Sequence, residues 1–299
     1  MDTLAQAYAL GVVTRAEVER GLAEARPDAS TGRTEITLRG RVVALVHRNA
    51  EHRNRRIRPL LTALAEEDLG PKVLSCADQL WTESVPGRSL ADLSSAGAGP
   101  TLVELTDACV ALGAALAGVH RLPVPRDAIE PARRPTIEAG GRDGGGSALD
   151  AAVRHAVAAD PGLQRAFEAV SQRWSERHWA LGGVEPVDIM IDSRAGSHVR
   201  FANLDSAGLG CVDWDVAACL ASIAQVAGPA ASVAWLSGHF WNSYRRAGGP
   251  GQVHPQVQAM HAVDSACRAA GRDDRTAVLW WLTRAHEALV RPGGAALAA

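Results

Sequence analysis

The chain has 299 residues, roughly twice a typical domain, so it can bury a sizeable core and two lobes or domains are expected. Hydrophobic residues make up 47% and charged ones 21%, which excludes a disordered chain, and a formal net charge of −2 gives no field to gather polyanions, so no nucleic-acid partner is expected. No apolar run is read as approaching the roughly 18 to 20 residues that cross a bilayer. Met1-Asp2-Thr3 opens neither a basic n-region nor an apolar h-region, so no membrane association and a cytoplasmic location are expected.

Apolar spacing predicts a helix over Leu4 to Ala25, with Thr14-Arg15-Ala16-Glu17 as a capping box inside it. Thr34 to Leu38 alternates like a strand, Arg39-Gly40 is a turn, and Val42 to His47 is a second strand, which together make a hairpin. A basic segment, His47 to Arg58, leads into helical Leu60 to Glu67, and its arginines read first as a solvated face. Lys72 to Cys76 and Gln79 to Val85 read as strands, and Pro86 to Leu90 as a turn into a helix.

From there the pattern is mostly helical. Thr101 to Val119 carries an apolar stripe, Ala151 to His178 holds one or two helices, and the glycine-rich Arg133 to Ser147 between them reads as a loop. Asp188 to Asp192 and Val199 to Asp205 form an isolated hairpin. Helices close the chain, among them Trp214 to Val226, Ser232 to Ala247 and Arg275 to Val290. The expected class is α+β and bilobal, with a small β-rich lobe at 1–85 and a larger helical lobe at 86–299 that carries the hairpin at 181–205. Cys76, Cys109, Cys211, Cys219 and Cys267 contain no C-x-x-C pair and read as buried apolar residues. Lys72 is the only lysine among 31 basic residues, a bias expected of a GC-rich bacterial genome.

Four stretches resemble those of one family. Glu83 to Leu90 is similar to a linker with an acidic residue, apolar residues and Pro-Gly before a helix. Ala111 to Pro123 resembles a helix ending L-x-x-L-H-x-L-P. Leu181 to Asp192 aligns without a gap on a catalytic loop of the form H-G-D-L-H-P-G-N-I-L-V-D. Leu204-Asp205 and then Asp213 to Ala217 resemble an I-D-W metal strand followed by a D-L-A helix. The sequence thus resembles the aminoglycoside phosphotransferase and choline kinase-like family, a branch of the protein-kinase-like fold.

The resemblance implies phosphoryl transfer from ATP or GTP with Mg2+, which needs a base, two metal ligands and a phosphate-positioning lysine held by a glutamate. At the base position stands Gly183, with Leu181 in place of the preceding histidine, and Glu185 is a weak substitute. Asp188 and Asp205 fall on the metal positions; their structural alternative is to hold a loop and a turn. Asp192 and Asp215 are read as structural, Asp215 by bonding the loop backbone. No lysine lies on the strand Val42 to His47, where His47 or Arg48 is the nearest cation, and arginine is not an equivalent replacement. Glu83 and Val85 in the linker complete the nucleotide-binding candidates.

These substitutions favour a degenerate member, a pseudokinase that binds a peptide or protein partner rather than an enzyme. Relatives of the fold in class V lanthipeptide and thioamitide biosynthesis, acting with a lyase, supply an analogy for its pathway. The alternative is an active ATP- or GTP-dependent phosphotransferase on a hydroxyl of an antibiotic, metabolite or peptide, with Mg2+ on Asp188 and Asp205. A third reading is a structural subunit that uses an outer surface such as Trp280-Trp281. On the first and third readings no cofactor is required.

Overall fold

The computed structural model describes residues 3–28, 33–47, 51–76, 79–95, 101–125, 132, 148–174, 177–192, 197–204, 206–227 and 230–290. The single helix expected over 4–25 is instead two short ones, α1 (Thr3–Ala9) and α2 (Arg15–Glu19), followed by a strand, β1 (Ala23–Asp28). The capping box explains the break. Thr14 Oγ1 accepts from Glu17 N–H at 3.2 Å while Glu17 Oε2 accepts from Thr14 N–H at 2.8 Å, so a new helix begins there. In β1, Ala23 and Ala25 alternate with Glu24 and Arg26, a two-residue period too short to stand out beside the helical spacing before it.

The predicted hairpin is present as β2 (Arg33–Leu38) and β3 (Arg41–His47). Arg39 and Gly40 both have positive φ, 52° and 76°, as a turn matched to strand twist requires. With β4 (Val73–Cys76) and β5 (Leu80–Glu83) they form a five-stranded antiparallel sheet in the order β1-β2-β3-β5-β4. One face carries Ile36, Ala44, Val46 and Trp81 onto Ala7 and Val13. Helix α3 (Glu51–Glu66) starts inside the arginine-rich segment rather than at Leu60, and its Leu60, Leu61 and Leu64 join the core of the helical part.

That part comprises β6 (Arg88–Ser89), α4 (Leu90–Ser95), α5 (Leu102–Arg121), α6 (Ala148–Ala159), α7 (Pro161–Arg173), β7 (His178–Ala180), β8 (Ile189–Asp192), β9 (His198–Phe201), β10 (Gly208–Gly210), α8 (Val212–Val226), α9 (Ala230–Arg246), α10 (Pro255–Gly271) and α11 (Arg275–Val290). Strands β6, β8 and β9 pair in that order, and β7 pairs with β10, so His178 opens a strand rather than ending a helix. One core gathers α5, α8 and α9; a second gathers α6, α7, α10 and α11. Helix α10, absent from the expected elements, is buried on nearly every side and so lacks the one-sided stripe that marks a surface helix.

Two expectations need comment here. Helix α5 is, by length and composition, apolar enough to cross a membrane, with a mean hydropathy of 1.7, contrary to the reading that no such run exists. Half of that window is buried inside the fold, where α5 packs on α9, which accounts for its hydropathy as a core helix. Cys109, Cys211, Cys219 and Cys267 are free and buried as expected, and burial pushes their thiols up, Cys109 to about 12 and Cys211 to about 11. The glycine-rich stretch 133–147 and the side chain of Cys76 lie outside the described residues.

Candidate functional site

The loop between β7 and β8 is held from behind by a buried polar chain. Asp215, in the first turn of α8 and fully buried, accepts from Leu181 N–H at 2.6 Å and Gly182 N–H at 3.0 Å. His120 Nε2 lies 3.1 Å from the same carboxylate, and His120 Nδ1 lies 2.8 Å from Tyr244 Oη, which also accepts from Gly251 N–H at 2.8 Å. Burial pushes the Tyr244 phenol up, so it keeps its proton and donates it to His120 Nδ1, leaving Nε2–H to face Asp215. Every donor in the chain then has an acceptor, as a buried network requires. Ser222 Oγ donates to Val184 O at 3.0 Å and fixes the far side of the loop. The expected structural role of Asp215 is what this geometry provides.

Two successive glycines set the loop's path, with φ of +75° at Gly182 and +126° at Gly183. A Cβ on Gly182 would lie 2.2 Å from Ser206 O, so this backbone approach admits only glycine. At Gly183 a Cβ would meet only Trp214 Nε1 within 4 Å, at 3.8 Å. The position is therefore not plugged against a side chain there; what opposes one is the backbone conformation itself. Glu185 Oε1 accepts from Arg268 Nη1 at 2.9 Å, which turns its carboxylate toward α10. Asp188 ends the short 3-10 turn Pro186–Asp188, and its Oδ2 accepts from Glu185 N–H at 3.2 Å. Asp205 lies outside the described residues. Among the described residues no three His, Cys, Asp or Glu side chains cluster as metal ligands would.

Of the nucleotide-binding candidates, the structure describes His47, Glu83 and Val85. His47 is 2% exposed, and its Nε2 pairs with Thr82 Oγ1 at 3.1 Å. Glu83 is exposed at the end of β5, its Cα opposite Ala44, whereas His47 sits opposite Leu80; Val85 is buried. Arg48 lies outside the described residues. A buried imidazole held by a threonine does not fit the task of a compact ammonium reaching the phosphates of a bound nucleotide. Asp188 suits Mg2+ by donor chemistry, although one of its oxygens already serves the loop backbone.

Sequence reasoning missed the residues opposite Glu185. On α10, His261, Ser265 and Arg268, and just past its end Arg272, follow one another at intervals of four, three and four, and with Val184, Glu185 and Trp281 they line a pocket. That spacing is legible in the sequence only once α10 is known to be a helix.

No protein-family model matches the sequence, and no curated protein matches it either. Solved structures do. The aminoglycoside phosphotransferase APH(4)-Ia, as a complex with AMP-PNP and hygromycin B, aligns at a TM-score of 0.60 and 14% identity over 94% of this chain and 100% of its own. The choline kinase LicA from Streptococcus pneumoniae aligns at 0.58 and 8% identity, covering 95% and 99%. APH(3'')-Id from Streptomyces rimosus, in complex with ADP and streptomycin, aligns at 0.57 and 14%, covering 91% and 99%. The chain thus has the bilobal kinase-like fold that the resemblance implied, the fold shared by these choline kinase and aminoglycoside phosphotransferase structures. Identities this low speak to fold alone.

Proposed function

We propose that this chain is a kinase-fold protein that has given up ordinary phosphoryl transfer and acts by binding a peptide or protein partner in a bacterial biosynthetic pathway, in the cytoplasm. The observation that carries the reading is Gly183, which puts no proton acceptor at the base position and holds a backbone conformation that L side chains rarely adopt. Loss of a positioned base costs about 10² to 10⁴ in rate. The buried His47 in the lysine's strand removes a second role. The pathway, by analogy of fold, is of the lanthipeptide or thioamitide kind with a lyase as companion.

A second reading has one observation in its favour: Asp188 keeps a carboxylate where Mg2+ would be held. On it the protein is an ATP- or GTP-dependent phosphotransferase on a hydroxyl of an antibiotic, metabolite or peptide. A thermal-shift titration with Mg2+ and ATP or GTP separates the two. Partner binding without nucleotide stabilisation at millimolar ligand supports the first reading. Stabilisation that Asp188→Ala abolishes, with phosphate release to an acceptor, overturns it.

A further inference from the structure

We propose that the pocket where α10 faces the loop after Gly183 is a binding site for a carboxylate group. The cavity, about 40 Å3, exceeds the roughly 10 to 15 Å3 that one water needs on the same measure, which leaves room for a small head group. The inference goes beyond the proposed function, because the pocket is built from the helical part alone and holds whether or not a nucleotide binds.

The pocket leaves hydrogen-bonding capacity open. His261 is 3% exposed and lines the pocket, yet its Nε2 has no partner, a costly omission for a buried polar atom. Its ring is fixed by Trp214 at 5.2 Å and Trp281 at 6.0 Å, so the imidazole cannot turn away to find one. Ser265 Oγ accepts from Arg268 Nη2 at 3.0 Å, so its own hydrogen remains to be donated. Arg272, exposed at the rim, makes no ion pair among the described residues. The free capacity is therefore the imidazole Nε2 with two donors beside it, a hydroxyl and a guanidinium.

Charge selects an oxyanion at this end of the pocket. Glu185 and Asp264 both face Arg268, with Oε1 at 2.9 Å from Nη1 and Oδ2 at 3.3 Å from Nε. Arg272 is the lining cation with no ion pair among the described residues, and the proposed carboxylate pairs with it, beside the Ser265 hydroxyl and the His261 ring. Burial, and after it the Arg268 charge, holds the His261 pKa well down, so the ring is neutral, and the proposed site uses its Nε2–H tautomer as a donor. Its neutrality keeps the desolvation cost low.

The test is titration of the 15N-histidine-labelled full chain with sodium acetate against sodium chloride at equal ionic strength, read at the His261 ring nitrogens. The expected result is a saturable shift with acetate, midpoint in the millimolar range, and none with chloride. Arg272→Gln and Ser265→Ala each weaken it by about fivefold or more, as loss of one charge-assisted bond would. An N-acetyl-aspartate methylamide arm with its asparagine counterpart reports the source: aspartate-selective binding identifies a peptide side chain, and acetate binding alone a free carboxylate. Absence of a saturable shift up to about 100 mM acetate, well above a millimolar midpoint, would mean a water-filled pocket and overturn the proposal. So would wild-type affinity in both variants, or binding of inorganic phosphate in place of acetate.

Discussion

Placing a carboxylate back at the base position tests the reading of the site most directly. In Gly183→Asp the new Cβ has room, its nearest neighbour being Trp214 Nε1 at 3.8 Å, so the cost is one of backbone rather than of collision. Holding a non-glycine residue at φ +126° costs about 1 to 3 kcal/mol. A hydrogen bond from the indole N–H returns roughly 1 kcal/mol. The net loss is thus at most about 2 kcal/mol, a Tm lower by no more than roughly 8 °C. Gly182→Ala is the control: its Cβ would stand 2.2 Å from Ser206 O, backbone must move, and the loss should exceed that of Gly183→Asp. Both are read by urea midpoints, and phosphoryl transfer from ATP and GTP is assayed in parallel. Because His47 remains buried, the aspartate alone should bring no transfer above background. A Gly183→Asp variant that is more stable than the parent refutes the strain argument. One that gains a hundredfold in transfer refutes the claim that the site is degenerate beyond its base.

Three further outcomes are expected. Asp215→Ala strands two backbone N–H groups and the His120 imidazole in the core and should cost about 3 to 5 kcal/mol, with hydrogen exchange accelerated at the Leu181 and Gly182 amides. The His261 pKa lies below its ordinary 6.5, at about 3, chiefly through burial, so between those values the unfolded chain binds a proton that the folded one refuses. Stability should then fall as pH drops below 6.5, with a slope approaching about 1.4 kcal/mol per pH unit, and His261→Gln should flatten it in urea titrations at successive pH values. Asp68, its pKa lowered chiefly by the hydrogen bond from Arg200, pairs with that guanidinium through bonds of 2.7 and 2.8 Å, but its side chain is 58% exposed. Asp68→Ala should cost under about 1 kcal/mol, and high salt should shrink the difference.

What could be read in advance was what is local. Thr14 with Glu17, Arg39 with Gly40, and the apolar stripe of α5 each announce themselves within a few residues, and each stands where the sequence put it. Strands β7 and β10, three residues each, exist because they pair with one another, and nothing within either one signals it. The loop from Leu181 to Asp192 was legible by its spacing, but the positive φ values at Gly182 and Gly183 were not. Nor was the turning of Glu185 toward Arg268, a partner 83 positions away. The pocket face of α10 failed for a third reason: full burial erases the amphipathic contrast that spacing arguments need.

Helix α5 carries a consequence for the making of the protein. Part of its apolar window is covered by α9, at residues 230–246, while Leu60, Leu61 and Leu64 of α3 share the same core. During synthesis the part that α9 covers leaves the ribosome long before α9 is made, and until then it is open to holdase chaperones and neighbouring nascent chains. Yield in a foreign host should therefore depend on translation speed and growth temperature more than on the stability of the finished molecule.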